Sequence, residues 1–297
     1  MIDMRQYIKD SDSMAGFAPV EKLSLGAILG KTLTILTCRP QFFFGLAFLE
    51  SLSGLFLLFW VVTCAPVMSW RSVSELVFSL SFAPVTGWGG SKLVFLIWIL
   101  WNLVCQGAFA HSVFRFLRDN GTPGLGEALG LGFLRLPSLF LAMSLFSLPL
   151  GMIFGLSFGF VLFGAGTGKL EDALFYDAVS VVEVLTSASI LLFCCLYGLF
   201  VQVCVIEGRG GQDSLRRSRA LIKGHRLNIL GLWMLFGLGF KILLGLAEAM
   251  TGFFSGSATV IAALTLILGC PFLAFYSVAL TVVFHDLNIL HEGRNNG

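Results

Sequence analysis

The sequence predicts an all-α membrane protein, with six transmembrane helices in three hairpin repeats, each repeat led in by an amphipathic helix at the membrane interface. Three observations predict it. Of 297 residues, 57% are hydrophobic and only 12% charged, with a mean hydropathy of +0.89, outside the balance of soluble globular domains. Six apolar stretches are long enough to cross the bilayer, which takes roughly 20 residues of helix for about 30 Å of hydrocarbon. Lysine and arginine crowd alternate connections between those stretches.

Residues 1–23 read as a flexible charged tail with Arg5, Lys9, Asp10, Asp12, Glu21 and Lys22. No apolar run there ends in a small-residue cleavage site, so a cleaved signal peptide is not expected. The membrane domain spans 24–293, and residues 294–297 are a short C-terminal tail. The predicted spans are Phe42 to Val62, Leu93 to Phe116, Ser138 to Phe163, Val184 to Ile206, Asn228 to Leu246 and Ala258 to Phe284. Each must be helical, because lipid offers no partner for an open backbone N–H or C=O. Pro149 and Pro271 predict kinks in the third and sixth.

The three lead-in segments are Leu25-Gly26-Ala27-Ile28-Leu29, Leu125-Gly126-Glu127-Ala128-Leu129 and, more loosely, Gly211-Gln212-Asp213-Ser214-Leu215. In the first, Leu25, Ile28, Leu29, Leu33 and Leu36 recur at helical spacing, while Lys31, Thr32 and Thr34 take other faces. Such a segment lies in the interface until Pro40 turns the chain inward. The alternative is simple continuation of the membrane helix.

Orientation follows from the basic residues. Arg5, Lys9, Lys22, Lys31 and Arg39 precede the first span; Arg115, Arg118 and Arg135 follow the second; Arg209, Arg216, Arg217, Arg219, Lys223 and Arg226 follow the fourth. The opposite connections hold only Arg71, Lys92 and Lys169, and the acidic stretch Glu171, Asp172, Asp177 and Glu183. Both termini are therefore expected in the cytoplasm of a bacterial cell, with the chain in its inner membrane.

Several chemistries are excluded by spacing. Gly164 to Lys169 resembles a phosphate loop, but Leu170 follows the lysine, Phe163 replaces the first glycine and a membrane helix precedes it. It reads as a turn on the outer face. Cys105, Cys194, Cys195, Cys204 and Cys270 lie in apolar helices, where cysteine packs as a small hydrophobe, and there is no CxxC motif. His285, His291 and Glu292 lack metal-ligand spacing, and His111 has no second intramembrane histidine for haem. No cofactor or metal is expected, and the chain is not read as an enzyme, since no nucleophile, base and orienter are arranged recognisably.

The Leu-Gly-x-x-Leu lead-in, the run Glu207-Gly208-Arg209-Gly210-Gly211 into Leu215-Arg216-Arg217-Ser218, and Asp286-Leu287 with Glu292-Gly293 together resemble the polytopic membrane domain of glycerophosphodiester phosphodiesterases and of stand-alone bacterial membrane proteins like it. The resemblance runs from about Ser24 to Gly293. It implies a fold and a membrane location without the hydrolase barrel, and no catalytic residue of that family has a matching position here. Asn288 and His291 stand where such proteins tend to have arginines.

Three sets of residues are candidate sites. Ionisable groups deep in a membrane are costly and so are functional candidates. Glu50 lies about 15 Å of helical rise beyond Pro40, and Lys241 roughly 21 Å into the fifth span. With Asn102 and Gln106, four apart on one helical face, they predict a buried polar seam. The sequence favours a structural role for it over transport, and leaves Glu50 either uncharged and hydrogen-bonded to Gln106 or paired with Lys241. Gly151, Gly155 and Gly159 form two GxxxG steps that favour internal packing over an oligomer contact. Arg209, Arg216, Arg217, Arg219, Lys223 and Arg226 predict an interfacial helix binding anionic lipid, or else a topology signal alone. No nucleic-acid module accompanies that charge. The leading reading is a non-catalytic scaffold or accessory subunit contacting lipids, a protein partner or a second copy; the other is a transporter or lipid-handling protein using the seam.

Overall fold

The computed structural model describes residues 23–64, 89–119, 121–166, 172–253 and 258–295, and only the backbone towards the far ends of several helices. Among the described residues all regular structure is helical. In chain order the helices are α1 (Leu25–Cys38), α2 (Pro40–Cys64), α3 (Gly89–Asp119), α4 (Leu125–Gly166), α5 (Asp172–Tyr197), α6 (Gly211–Ile222), α7 (Arg226–Phe253) and α8 (Ala258–Asn295). Five stretches are long and apolar enough to cross a membrane: Leu96–Asp119, Leu125–Ile153, Val184–Glu207, Arg226–Leu243 and Gly269–His291. A sixth arises if α1 and the start of α2 count as one bent span. By length and composition this is a multi-pass membrane protein.

The bend has a local cause. Ser24 caps α1, its Oγ accepting from the Ala27 N–H at 3.2 Å. Pro40 disfavours helical geometry at the residue before it, and Arg39 sits at φ −139°, ψ 57°. The axis turns by 98° there, and Pro40 opens α2. Ile28, Thr32, Ile35 and Leu36 form the buried stripe of α1, which packs on α8. The lead-in is thus a separate helix lying across the start of its span.

The other two lead-ins differ from each other. Helix α4 runs unbroken for 42 residues, so the second lead-in simply continues into its span, with Pro137 and Pro149 inside. The third is a separate helix, α6, with a turn at Lys223–His225 before α7. The fourth span, predicted as continuous from Val184 to Ile206, is interrupted. Helix α5 ends at Tyr197; after a turn at Gly198 and Leu199, Phe200–Gln202 forms one helical turn that widens into a π-helical turn over Val203–Glu207. The Trp233 indole lies 3.0 Å from where a Gly198 Cβ would stand, and the Leu199 N–H donates to Ser218 Oγ at 3.2 Å. Close packing and a borrowed cap hold the break open. Gly164–Gly166, predicted as part of the outer turn, instead form the last residues of α4, and residues 167–171, with the other half of that turn, lie outside the described residues, as do Arg71 and the N-terminal tail.

Helix α8 is the hub, packing against α1, α2, α3 and α7. Its span is 61% buried, whereas that of α4 is 11% buried. Phe43 of α2, Phe109 of α3 and Phe284 of α8 are fully enclosed, and the Phe43 and Phe109 rings stack at 6.5 Å. The outward face is as apolar as the inside: Leu134, Leu156 and Leu148 of α4 are 80%, 73% and 62% exposed. A water-facing surface would not tolerate this density of leucine, but lipid does. Three buried hydroxyls are satisfied within their own helices, since Thr32, Ser112 and Thr281 each donate to the carbonyl four residues earlier.

Candidate functional site

The polar seam forms in part. Glu50 is 3% exposed, and its Oε1 accepts from Gln106 Nε2 at 2.8 Å. Gln106 Oε1 in turn accepts from Ser277 Oγ at 3.3 Å. One side chain from each of α2, α3 and α8 therefore meets in a short chain across the bundle. Nearby, Trp101 Nε1 donates to the Leu49 carbonyl at 3.2 Å, a second tie between α3 and α2. Glu50 Oε2 is buried and has no hydrogen-bond partner among the described residues.

Two predicted members stand apart. Asn102 donates to the Trp98 carbonyl of its own helix at 2.8 Å. Lys241 is exposed on the outside of α7 and makes no ion pair with Glu50. Counting depth placed the lysine at a plausible level, but the angle about its helix points it outward. Of the two alternatives for Glu50, the structure realises the hydrogen bond to Gln106.

The GxxxG expectation of internal packing is also corrected. Gly151 and Gly155 are exposed, and a Cβ on either would meet nothing within 4 Å. The side of α4 at Gly159 lies outside the described residues. The close helix approach is elsewhere: a Cβ on Gly132 would stand 2.4 Å from the Val104 carbonyl oxygen, and one on Gly107 would lie 3.3 Å from Gly132 Cα. Here α3 and α4 cross with backbones nearly touching.

The strongest electrostatic feature was not expected. At the end of the bundle where the basic residues gather, two carboxylates are enclosed, Glu207 at 1% and Asp286 at 2% side-chain exposure. Glu207 accepts from Arg217 Nε at 2.9 Å and pairs with Arg209 Nε at 2.7 Å. Arg217 also donates through Nη2 to Asn288 Oδ1 at 2.9 Å. Lys31 reaches both Asp286 oxygens, at 2.8 and 2.9 Å. His285 Nδ1 lies 3.6 Å from Asp286 and its ring meets Phe114 edge-on. Farther out, Arg115 pairs with Glu127.

The backbone is shaped for this layer. Gly208 takes φ 70°, a left-handed conformation that ends the π-helical turn, with the Arg135 guanidinium 3.1 Å from where its Cβ would be. That turn lets Glu207 face Arg217 on α6. The segments Glu207–Arg209, Arg217–Ser218 and Asp286, far apart in sequence, thus meet in one region together with Lys31 of α1. The signal available in sequence was a carboxylate at the end of each of two spans, beside glycine in one case and histidine in the other.

The predicted lipid-binding run divides accordingly. Arg217 is only 15% exposed and is held by Glu207 and Asn288, whereas Arg209 pairs with Glu207 but keeps about half of its side chain exposed. Arg216, Arg219, Lys223 and Arg226 are exposed. Lys223, Gly224, His225, Arg226, Leu227 and Asn228 line an open groove of about 440 Å³ at the turn from α6 to α7. One wall is fixed by Asn228, whose amide donates to the Leu23 carbonyl at 2.6 Å. Among the described residues no three His, Cys, Asp or Glu side chains gather as a metal site would require. Compared with family models, curated proteins and solved structures, the chain matches none of them.

Proposed function

We propose that this chain is a non-catalytic scaffold or accessory subunit of a bacterial inner membrane, with both termini cytoplasmic and its charged end against the anionic leaflet. The observation that carries the reading is the use made of the buried charges. Glu207 binds two arginines, and Asp286 binds Lys31. These pairs tie α6 to the chain leaving the fourth span and α1 to α8. Groups enclosed in this way fix helices to one another and leave a rigid end carrying exposed basic residues. The resemblance to the membrane domain of glycerophosphodiester phosphodiesterases supports the same reading at the level of fold, since several residues that carry it gather in this layer.

A transporter or lipid-handling role is the second reading. The unpartnered Glu50 Oε2 favours it, because an unpaired buried oxygen is a place for a proton or a polar ligand. Lys241, exposed on α7, adds no counter-charge there.

Native purification with identification of co-purified lipid and protein tests the proposal. A scaffold retains anionic lipid or a stoichiometric partner. Solute flux in protein-containing vesicles that is lost in Glu50→Gln would replace it with the transporter reading.

A further inference from the structure

We propose that the turn between α6 and α7 is a discrete site for one anionic phospholipid, its phosphate held by Lys223 and Arg226 and an acyl chain laid along Leu227, Met234 and Leu238. This rests on the reading that the charged end faces an anionic leaflet. It adds that recognition is concentrated at one place.

The argument begins with which cations are free. Arg209 and Arg217 share the single carboxylate of Glu207, which leaves one net positive charge between them, and Lys31 is matched one to one by Asp286. Lys223 and Arg226 are exposed and make no ion pair among the described residues. Unlike Arg216 and Arg219, they line a concave surface, the groove of about 440 Å³, with half-buried His225 between them. Two cationic side chains around a concavity fit a compact anion better than a flat basic face does.

The apolar half comes from the same helix. Arg226 opens a stretch apolar enough to span the membrane, which sets it at headgroup depth. Leu227 is 81% exposed directly beside the groove, and Met234 and Leu238 are 58% and 61% exposed. Their spacing of seven and then four residues keeps them on one face of α7. An anion at the top of an exposed apolar stripe describes a phospholipid better than an acidic peptide or nucleic acid, neither of which would use the stripe.

The test is native mass spectrometry of the full chain in detergent, titrated separately with phosphatidylglycerol and phosphatidylcholine. Wild type is expected to hold one phosphatidylglycerol in preference to phosphatidylcholine. Lys223→Gln with Arg226→Gln should weaken that first lipid roughly 10- to 30-fold, and Arg216→Gln with Arg219→Gln less than about threefold. Leu227→Asn should weaken it as well. All five positions are exposed or at a turn, and an unchanged melting temperature verifies folding. Equal weakening by the two double variants would overturn the discrete site but leave a diffuse lipid-binding face. Displacement of the lipid by millimolar inorganic phosphate would overturn the lipid assignment in favour of a free-anion site. No preference for phosphatidylglycerol in wild type would overturn both this site and the leaflet contact it rests on.

Discussion

Gln106 Nε2 donates to Glu50 Oε1 at 2.8 Å, joining α3 to α2 in the interior of the bundle. Hydrogen bonds between membrane helices are worth about 0.6 to 2 kcal/mol, so this contact is a measurable share of helix association. Glu50→Gln keeps the acceptor and the shape and should change stability by less than about 0.5 kcal/mol. Gln106→Leu removes the donor and should cost about 1 to 2 kcal/mol. A cycle between Glu50→Leu and Gln106→Leu, read by thermal unfolding in one detergent, should show a coupling of about 0.5 kcal/mol or more. Glu50→Gln and Lys241→Met should be additive, since the lysine lies outside the bundle.

The basic residues should separate by what they touch. Arg217→Gln leaves the enclosed Glu207 with Arg209 alone and breaks the link to Asn288. Loss of one partner from a largely buried pair costs roughly 3 kcal/mol. Arg219→Gln, on the exposed side of the same helix, should stay within about 0.5 kcal/mol. Equal melting temperatures for the two variants would remove the structural role assigned to Glu207.

Glycine spacing and glycine function diverge in α4. Gly132→Ala puts a methyl group 2.4 Å from the Val104 carbonyl oxygen and should cost about 1 to 3 kcal/mol. Gly151→Ala and Gly155→Ala meet open space, and alanine favours a helix over glycine by about 0.5 to 1 kcal/mol. These two should be neutral or slightly stabilising. Destabilisation by either would show a helix partner on that face.

Much of the architecture was legible because lipid simplifies the code. A long apolar run can only be a helix, so existence and type of the spans followed directly, and Pro40 marked the bend through backbone sterics. Depth was legible too, since rise per residue is fixed, and it placed Gln106 beside Glu50. Rotation about a helix was not. In water the apolar stripe faces inward, but here both faces are apolar, so nothing in the pattern showed Lys241 turned outward or Gly151 and Gly155 open. The break at Gly198 and Leu199 depends on Trp233 and Ser218, contacts 35 and 19 positions along the chain that no local signal reveals. Glu207 and Asp286 were hidden for a similar reason: a carboxylate at a span end reads as solvated until its arginine or lysine is seen on another helix.

Cysteine labelling in intact cells tests most directly the proposed arrangement, a multi-pass chain with its charged end in the cytoplasm. The seven natural cysteines are first replaced by alanine. Single cysteines are then introduced as Ser13→Cys in the N-terminal tail and Thr167→Cys in the connection after the third span. A membrane-impermeant maleimide should label Thr167→Cys in intact cells and Ser13→Cys only after permeabilisation. Labelling of both from the same side would contradict the number of crossings, and the reverse pattern would contradict the orientation.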